Sequence, residues 1–128
     1  MSRDEVDFLS LEDVLEIAAG VMDEVAVRDP GLLAAAVARP QATFDGVDLY
    51  SDYFTKAAAL MAFLVNNHPF IDDNKRVGIT AAGLFLRLNS YRLSTTNATL
   101  ESFTLQVAQG KLTVEEMADW FRAQSVFV

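Results

Sequence analysis

The feature that most narrows the fold is a run of nine apolar residues, Ala57 to Val65. A helix that is apolar on every side has no face to turn to water, so other elements must enclose it. Nine residues fall far short of the roughly 20 that a membrane-spanning helix needs, which excludes a transmembrane anchor. The enclosing elements are legible because helical periodicity recurs along almost all of the 128 residues.

Leu11, Val14, Leu15, Ala18, Val21, Met22 and Val25 share one helical face, and Ser10 with Asp13 forms a capping pair, so the spacing predicts a helix from about Ser10 to Val25. Asp29-Pro30 is an N-cap followed by Pro at the first helical position and opens a short helix through Leu33 and Val37, which Arg39-Pro40 ends. Between Gln41 and Tyr50, Asp45-Gly46 is a turn signal flanked by Ala42, Phe44, Val47 and Leu49, and predicts a small β hairpin or flap. Ser51 is placed to cap the apolar helix, which stops at Asn66-Asn67-His68-Pro69. A further helix is expected from Asn74 through Ala81, Leu84, Phe85 and Leu88, packed on the apolar one. After an extended piece, Tyr91 to Ser94, a helix with Leu100, Phe103 and Val107 on its face runs to Gly110, and Thr113 with Glu116 caps a last one bearing Val114, Met117, Ala118 and Phe121. The expectation is an all-α, compact bundle of about six helices with a small β flap near residues 41–50, forming a single domain over 1–128.

Charge and composition then remove function classes. The chain carries a net charge of −8, which argues against general binding of nucleic acid through its phosphates. The charge is uneven: Asn74 to Leu100 holds Lys75, Arg76, Arg87 and Arg92 with no acidic residue, so it carries +4 while the remainder carries −12. That pattern suits a small anionic ligand, and it also suits a buried helix that merely lacks acids. With no Cys, disulfides, thiolate catalysis and cysteine zinc sites are absent, and a single His makes a histidine-rich metal site a poor reading. Met1 to Glu5 is acidic at its end and no apolar stretch follows, so no secretory signal is expected and the cytoplasm is the expected location.

Chemically able side chains concentrate in one place, His68-Pro69-Phe70-Ile71-Asp72-Asp73-Asn74-Lys75-Arg76, between the two most hydrophobic helices. A helix N-terminus offers unpaired N–H groups and partial positive charge, so a loop running into one is a ready phosphate site. Lys75 and Arg76 oppose the helix dipole in that first turn, and a bound anion would resolve the conflict. Asp72 is a carboxylate of the type magnesium uses together with substrate phosphates. His68 supplies the imidazole, a group able to accept a proton near neutral pH. Phe70 reads as the anchor that pins the loop to the core.

The string HPFIDDNKR resembles the signature loop of the Fic/Doc superfamily, His-x-Phe-x-Asp/Glu-Gly/Ala-Asn-Gly/Lys-Arg, in the form of its death-on-curing (Doc) branch. The resemblance extends through Arg28-Asp29-Pro30-Gly31-Leu32-Leu33 and Ala38-Arg39-Pro40-Gln41-Ala42 upstream and Leu84-Phe85-Leu86-Arg87-Leu88-Asn89 downstream. It implies a toxin of a toxin-antitoxin module that transfers a phosphoryl group from ATP to a Ser or Thr hydroxyl of a host protein, with a translation elongation factor as the associated target. It implies His68 as general base, Asp72 as magnesium ligand, and Asn74, Lys75 and Arg76 as phosphate-binding residues. Its implied partner is a Phd-like antitoxin, to which any DNA contact would belong. No Glu in the chain has Ser or Thr four residues earlier, so the inhibitory helix found in many Fic proteins is not present. Asp73 stands where Gly or Ala is usual: its carboxylate either repels phosphate or brings in a second cation. Ile79 stands where adenylylating Fic enzymes have a second Arg, which favours phosphorylation. Adenylyl transfer and a catalytically impaired binding module are the competing readings.

Overall fold

The computed structural model describes residues 6–128, so the reading of Met1 to Glu5 lies outside the described residues. Eleven elements follow in order: α1 (Leu11–Val21), α2 (Pro30–Ala38), a short 3₁₀ turn (Arg39–Gln41), β1 (Thr43–Phe44), β2 (Val47–Asp48), α3 (Tyr53–Asn67), α4 (Asn74–Leu88), β3 (Tyr91–Leu93), α5 (Asn97–Ala108), α6 (Val114–Gln124) and β4 (Ser125–Phe127). The architecture is the expected all-α arrangement of six helices with a small β flap.

The apolar run lies in α3, and α3 is the central element, packed against α2, α4, α5, α6 and the 3₁₀ turn. Ala57 to Met61, Leu64 and Val65 are buried, and Ala62 and Phe63 lie against the same core. Its most extensive neighbour is α4. The two helices approach closely at Gly78, where a Cβ would fall 2.6 Å from Val65 Cγ2, so no larger residue fits without a shift. Each end of α4 is tied down by a buried Asn. Asn74 Nδ2 donates to the Phe70 carbonyl and its Oδ1 accepts from Phe70 N–H, both at 3.0 Å. Asn89 Nδ2 donates to the Phe85 and Asp7 carbonyls at 2.8 and 2.9 Å, and its Oδ1 accepts from Asp7 N–H at 2.9 Å.

The flap forms with Thr43 opposite Asp48 and Phe44 opposite Val47. Asp45 and Gly46 both have positive φ, 54° and 78°, as a two-residue hairpin turn of this hand demands. The capping boxes Ser10/Asp13 and Thr113/Glu116 are present, and Asp29 caps α2 ahead of Pro30.

Three details differ from expectation, and a fourth adds to one that held. Helix α1 stops at Val21 rather than Val25, because residues 26–29 are drawn into pairing with the loop after α3: Val27 bridges Phe70, and Ile71 N–H donates to the Ala26 carbonyl at 3.0 Å. The cap of α3 is Asp52, not Ser51, since Asp52 and Thr55 satisfy each other's N–H groups reciprocally. On α4 the buried face is Val77, Ala81, Ala82, Phe85 and Leu86, and Leu84 and Leu88 stand at the surface. The extended piece after α4 is a strand whose partner is β4, at the far end of the chain.

Candidate functional site

The loop between α3 and α4 turns sharply at both ends. His68, the residue that closes α3, is left-handed at φ 50°, ψ 58°, and Asp73, which precedes α4, is left-handed at φ 62°, ψ 18°. Between them Phe70 is fully buried and fastened to Asn74, so the loop is hung from the core at its midpoint. On its other flank the chain before α2 lies alongside it. Arg28 and Asp29 N–H groups both donate to the Pro69 carbonyl, at 2.8 and 3.0 Å.

With the loop so held, His68, Ile71, Asp72, Asp73, Asn74, Lys75 and Arg76 line one open pocket of about 480 Å³. Six of the seven residues singled out in the sequence thus meet there. The seventh, Phe70, lies beneath the pocket in the core. Asn74 borders the pocket, but its side-chain amide is committed to Phe70 on both its donor and acceptor atoms, leaving the helix backbone as its polar face toward the pocket. Lys75 and Arg76 are exposed, and Arg76 Nη1 lies 3.7 Å from Asp73 Oδ1.

Asp72 and Asp73 are close enough to interact directly. The Asp72 carboxyl is lifted above its ordinary range because its protonated form can donate a hydrogen bond to the Asp73 carboxylate, and repulsion between the two charges adds to the effect. Two hard oxygen donors at one edge of a pocket fit a divalent cation of the magnesium type, which uses one or two carboxylates and completes its shell from phosphates and water. The N-terminus of α4 receives no side-chain hydrogen bond from Asp73. Its first turn therefore keeps the donors and the partial positive charge that attract an anion. A second, mainly apolar groove of about 450 Å³ adjoins along α4 and α5, lined in part by Lys75, Arg76, Ile79 and Leu105.

One residue with a direct hold on the loop carries no chemical signal in the sequence. Arg28 Nε–H donates to the His68 carbonyl at 2.6 Å and Nη2–H to the Asn67 carbonyl at 2.8 Å. Its position, one residue before a capping Asp and Pro, reads as part of a helix start, and no local pattern reports a partner forty residues away.

The Fic/DOC family model matches residues 8–86, from the approach to α1 through most of α4 and including the whole loop. The chain belongs to the Fic/DOC family. It is 50% identical over 91 residues to the curated "Toxin Doc" of Mycolicibacterium smegmatis (strain ATCC 700084 / mc(2)155), covering 69% of this chain and 68% of that protein. It is 32% identical over 94 residues to the curated "Protein kinase doc" of Escherichia phage P1, covering 73% of each. Family membership agrees with the reading of the HPFIDDNKR loop. Among the described residues no helix is long and apolar enough to cross a membrane.

Proposed function

We propose that this chain is a Doc-type toxin that transfers the γ-phosphoryl group of ATP to a Ser or Thr hydroxyl of a host protein. The observation that carries the reading is the open N-terminus of α4: uncapped, bearing Lys75 and Arg76 in its first turn, and sharing one pocket with the chain's single imidazole and a pair of carboxylates. Phosphoryl transfer asks mainly for positioning and charge neutralisation, and these groups supply both. The names of the two relatives, a toxin and a protein kinase, support the same class.

In this reading Lys75, Arg76 and the N–H groups of the first turn hold the phosphate oxygens, while Asn74 fixes the loop and contributes through its backbone. His68 takes the proton of the acceptor hydroxyl as that oxygen bonds to the γ-phosphorus, the bond to the β–γ bridging oxygen breaks, and ADP leaves. Asp72, with Asp73 beside it, would hold magnesium, which when bound neutralises charge on the phosphates. Ile79, apolar where a second Arg would grip a further phosphate, supports phosphoryl over adenylyl transfer. The acceptor class is a host translation elongation factor, and the restraining partner is a separate Phd-like antitoxin; the chain acts as one domain in the cytoplasm.

The test is label transfer. Extract from a sensitive bacterium is incubated with the chain and ATP labelled at the γ- or the α-phosphate. Label entering protein from the γ position alone is the expected result. Label from the α position would make the chain an adenylyltransferase, and label from neither would leave a binding module.

A further inference from the structure

We infer that Arg28 is a positioning residue for His68, fixing the direction in which the imidazole leaves the backbone. The inference rests on the reading of His68 as the proton acceptor and concerns what holds it there.

The carbonyl of Asn67 belongs to the peptide plane before His68, and the carbonyl of His68 belongs to the plane after it. Arg28 binds both, through Nη2 at 2.8 Å and Nε at 2.6 Å. Two fixed planes fix the φ and ψ between them, and those torsions set where Cβ points. The restraint matters because His68 is left-handed, a sparsely populated region for a residue with a side chain, which persists only where surroundings over-determine it. The helix end would otherwise leave these two carbonyls to water, as the last turn of any helix does.

Arg28 is itself held in register. Its own N–H and that of Asp29 donate to the Pro69 carbonyl, Val27 bridges Phe70, and Asp29 Oδ1 accepts from Leu32 N–H at 3.0 Å to begin α2. The guanidinium therefore projects from a short splint bound on one side to the loop and on the other to a helix. A planar fork can take two consecutive carbonyls at once, whereas the single ammonium of Lys cannot reproduce that geometry. The Arg28 side chain is exposed, so its removal leaves the core packing untouched.

Because the chain contains one His, its imidazole gives one set of NMR signals that needs no further assignment. Wild type, Arg28→Lys and Arg28→Ala are compared, each with His68 intact and with His68→Ala. Three quantities are read: the His68 Cε1–H signal without nucleotide, MgATP affinity by calorimetry, and the initial rate of γ-label transfer into protein of a bacterial extract. A displaced catalytic group costs about 100-fold in rate for a 1 Å error, so Arg28→Ala should lower the rate by about 100-fold. MgATP affinity should stay within about twofold, since the phosphate-binding groups lie on α4. The His68 signal should move toward that of an unstructured peptide while core methyl signals stay in place. Arg28→Lys should recover little of the rate, and it serves the same comparison if Arg28→Ala lowers stability. In the His68→Ala background neither Arg28 substitution should reduce the rate further.

Wild-type rate in Arg28→Ala, an unmoved His68 signal, or an equal additional loss in the His68→Ala background would each overturn the inference. Absence of MgATP binding and label transfer in the wild type would instead remove the proposed function, and the His68 signal, read without nucleotide, would still decide whether Arg28 holds the residue.

Discussion

At the N-termini of α1, α2, α3, α5 and α6 a side chain ahead of the first turn accepts a backbone N–H: Ser10, Asp29, Asp52, Thr96 and Thr113. At the N-terminus of α4, Asp73 occupies the same position and accepts none. Residue type does not explain the difference, because Asp is among the best N-caps. Conformation does. The five capping residues are extended, with ψ between 99° and 174°, whereas Asp73 is left-handed at φ 62°, ψ 18°, and its carboxylate lies toward Arg76 and Asp72. The same helix end carries cations where Glu12 and Asp13 or Glu115 and Glu116 stand in α1 and α6. Five helix starts are thus arranged for stability, and one is arranged against it. What that teaches is that the backbone at the capping position, and not residue type alone, decides whether a helix start is closed, and that the α4 terminus is left open.

The largest effect is expected at the imidazole that shares a pocket with that opening. His68→Ala is expected to lower γ-label transfer by about 10² to 10⁴-fold while changing the melting temperature little, as befits an exposed loop residue. Undiminished transfer would detach the opening from this chemistry. Next, Lys75→Ala and Arg76→Ala should each weaken MgATP binding by about 10- to 100-fold, the worth of a charge-assisted hydrogen bond. Arg122→Ala, which removes a cation paired with Asp52 and Asp119 elsewhere, should leave it unchanged. If all three weaken binding alike, the attraction is general charge and not the helix start.

Asp73→Gly sharpens the comparison from the other side. It removes a carboxylate from Arg76 and relieves the left-handed backbone, so MgATP should bind about fivefold tighter, the worth of roughly 1 kcal/mol between charges near 4 Å in water. Weaker binding at low magnesium, partly restored by excess magnesium, would make Asp73 a cation ligand instead. For a capped terminus, Thr113→Ala should cost about 1 kcal/mol and lower the melting temperature by about 4 °C. Asp73→Ala should show no such capping loss.

The smallest effect is in pH. Burial pushes the Asp52 carboxyl up, but the Thr55 N–H and hydroxyl and Arg122 outweigh it, so its pKa is lowered. A lowered carboxylate stabilises the fold above its unfolded value of 3.8, and that stability is lost as pH falls through the lower folded value. Asp72 is raised, so its ionisation works the other way: stability declines as pH rises from 3.8 through its folded value. Melting curves from about pH 2 to about pH 6 should therefore be flattened at the acid end by Asp52→Asn and slightly lifted at the upper end by Asp72→Asn. Slopes of the same sign for both would break the contrast between the capped and the open carboxylate.

Much of this was legible in the chain because the decisive interactions are short in sequence. Capping pairs lie three residues apart, helical faces repeat every three to four, and the Asp45-Gly46 turn is two residues long, so composition and spacing carry them directly. The loop His68 to Arg76 stood out on the same ground, since its carboxylates, cations and imidazole are contiguous. What only the tertiary structure decided involves partners far along the chain. Helix α1 ends at Val21 because residues 26–29 pair with residues 69–71, and β3 finds its partner at β4. Asn74, polar and next to the cations, reads as a ligand-facing amide, yet Phe70's burial leaves backbone groups that Asn74 must satisfy. Arg28 takes the carbonyls at the end of α3 because folding brings a helix start and a helix end together. A helix reports its own period in every few residues, but which buried or terminal backbone group lacks a partner is known only once the elements are packed.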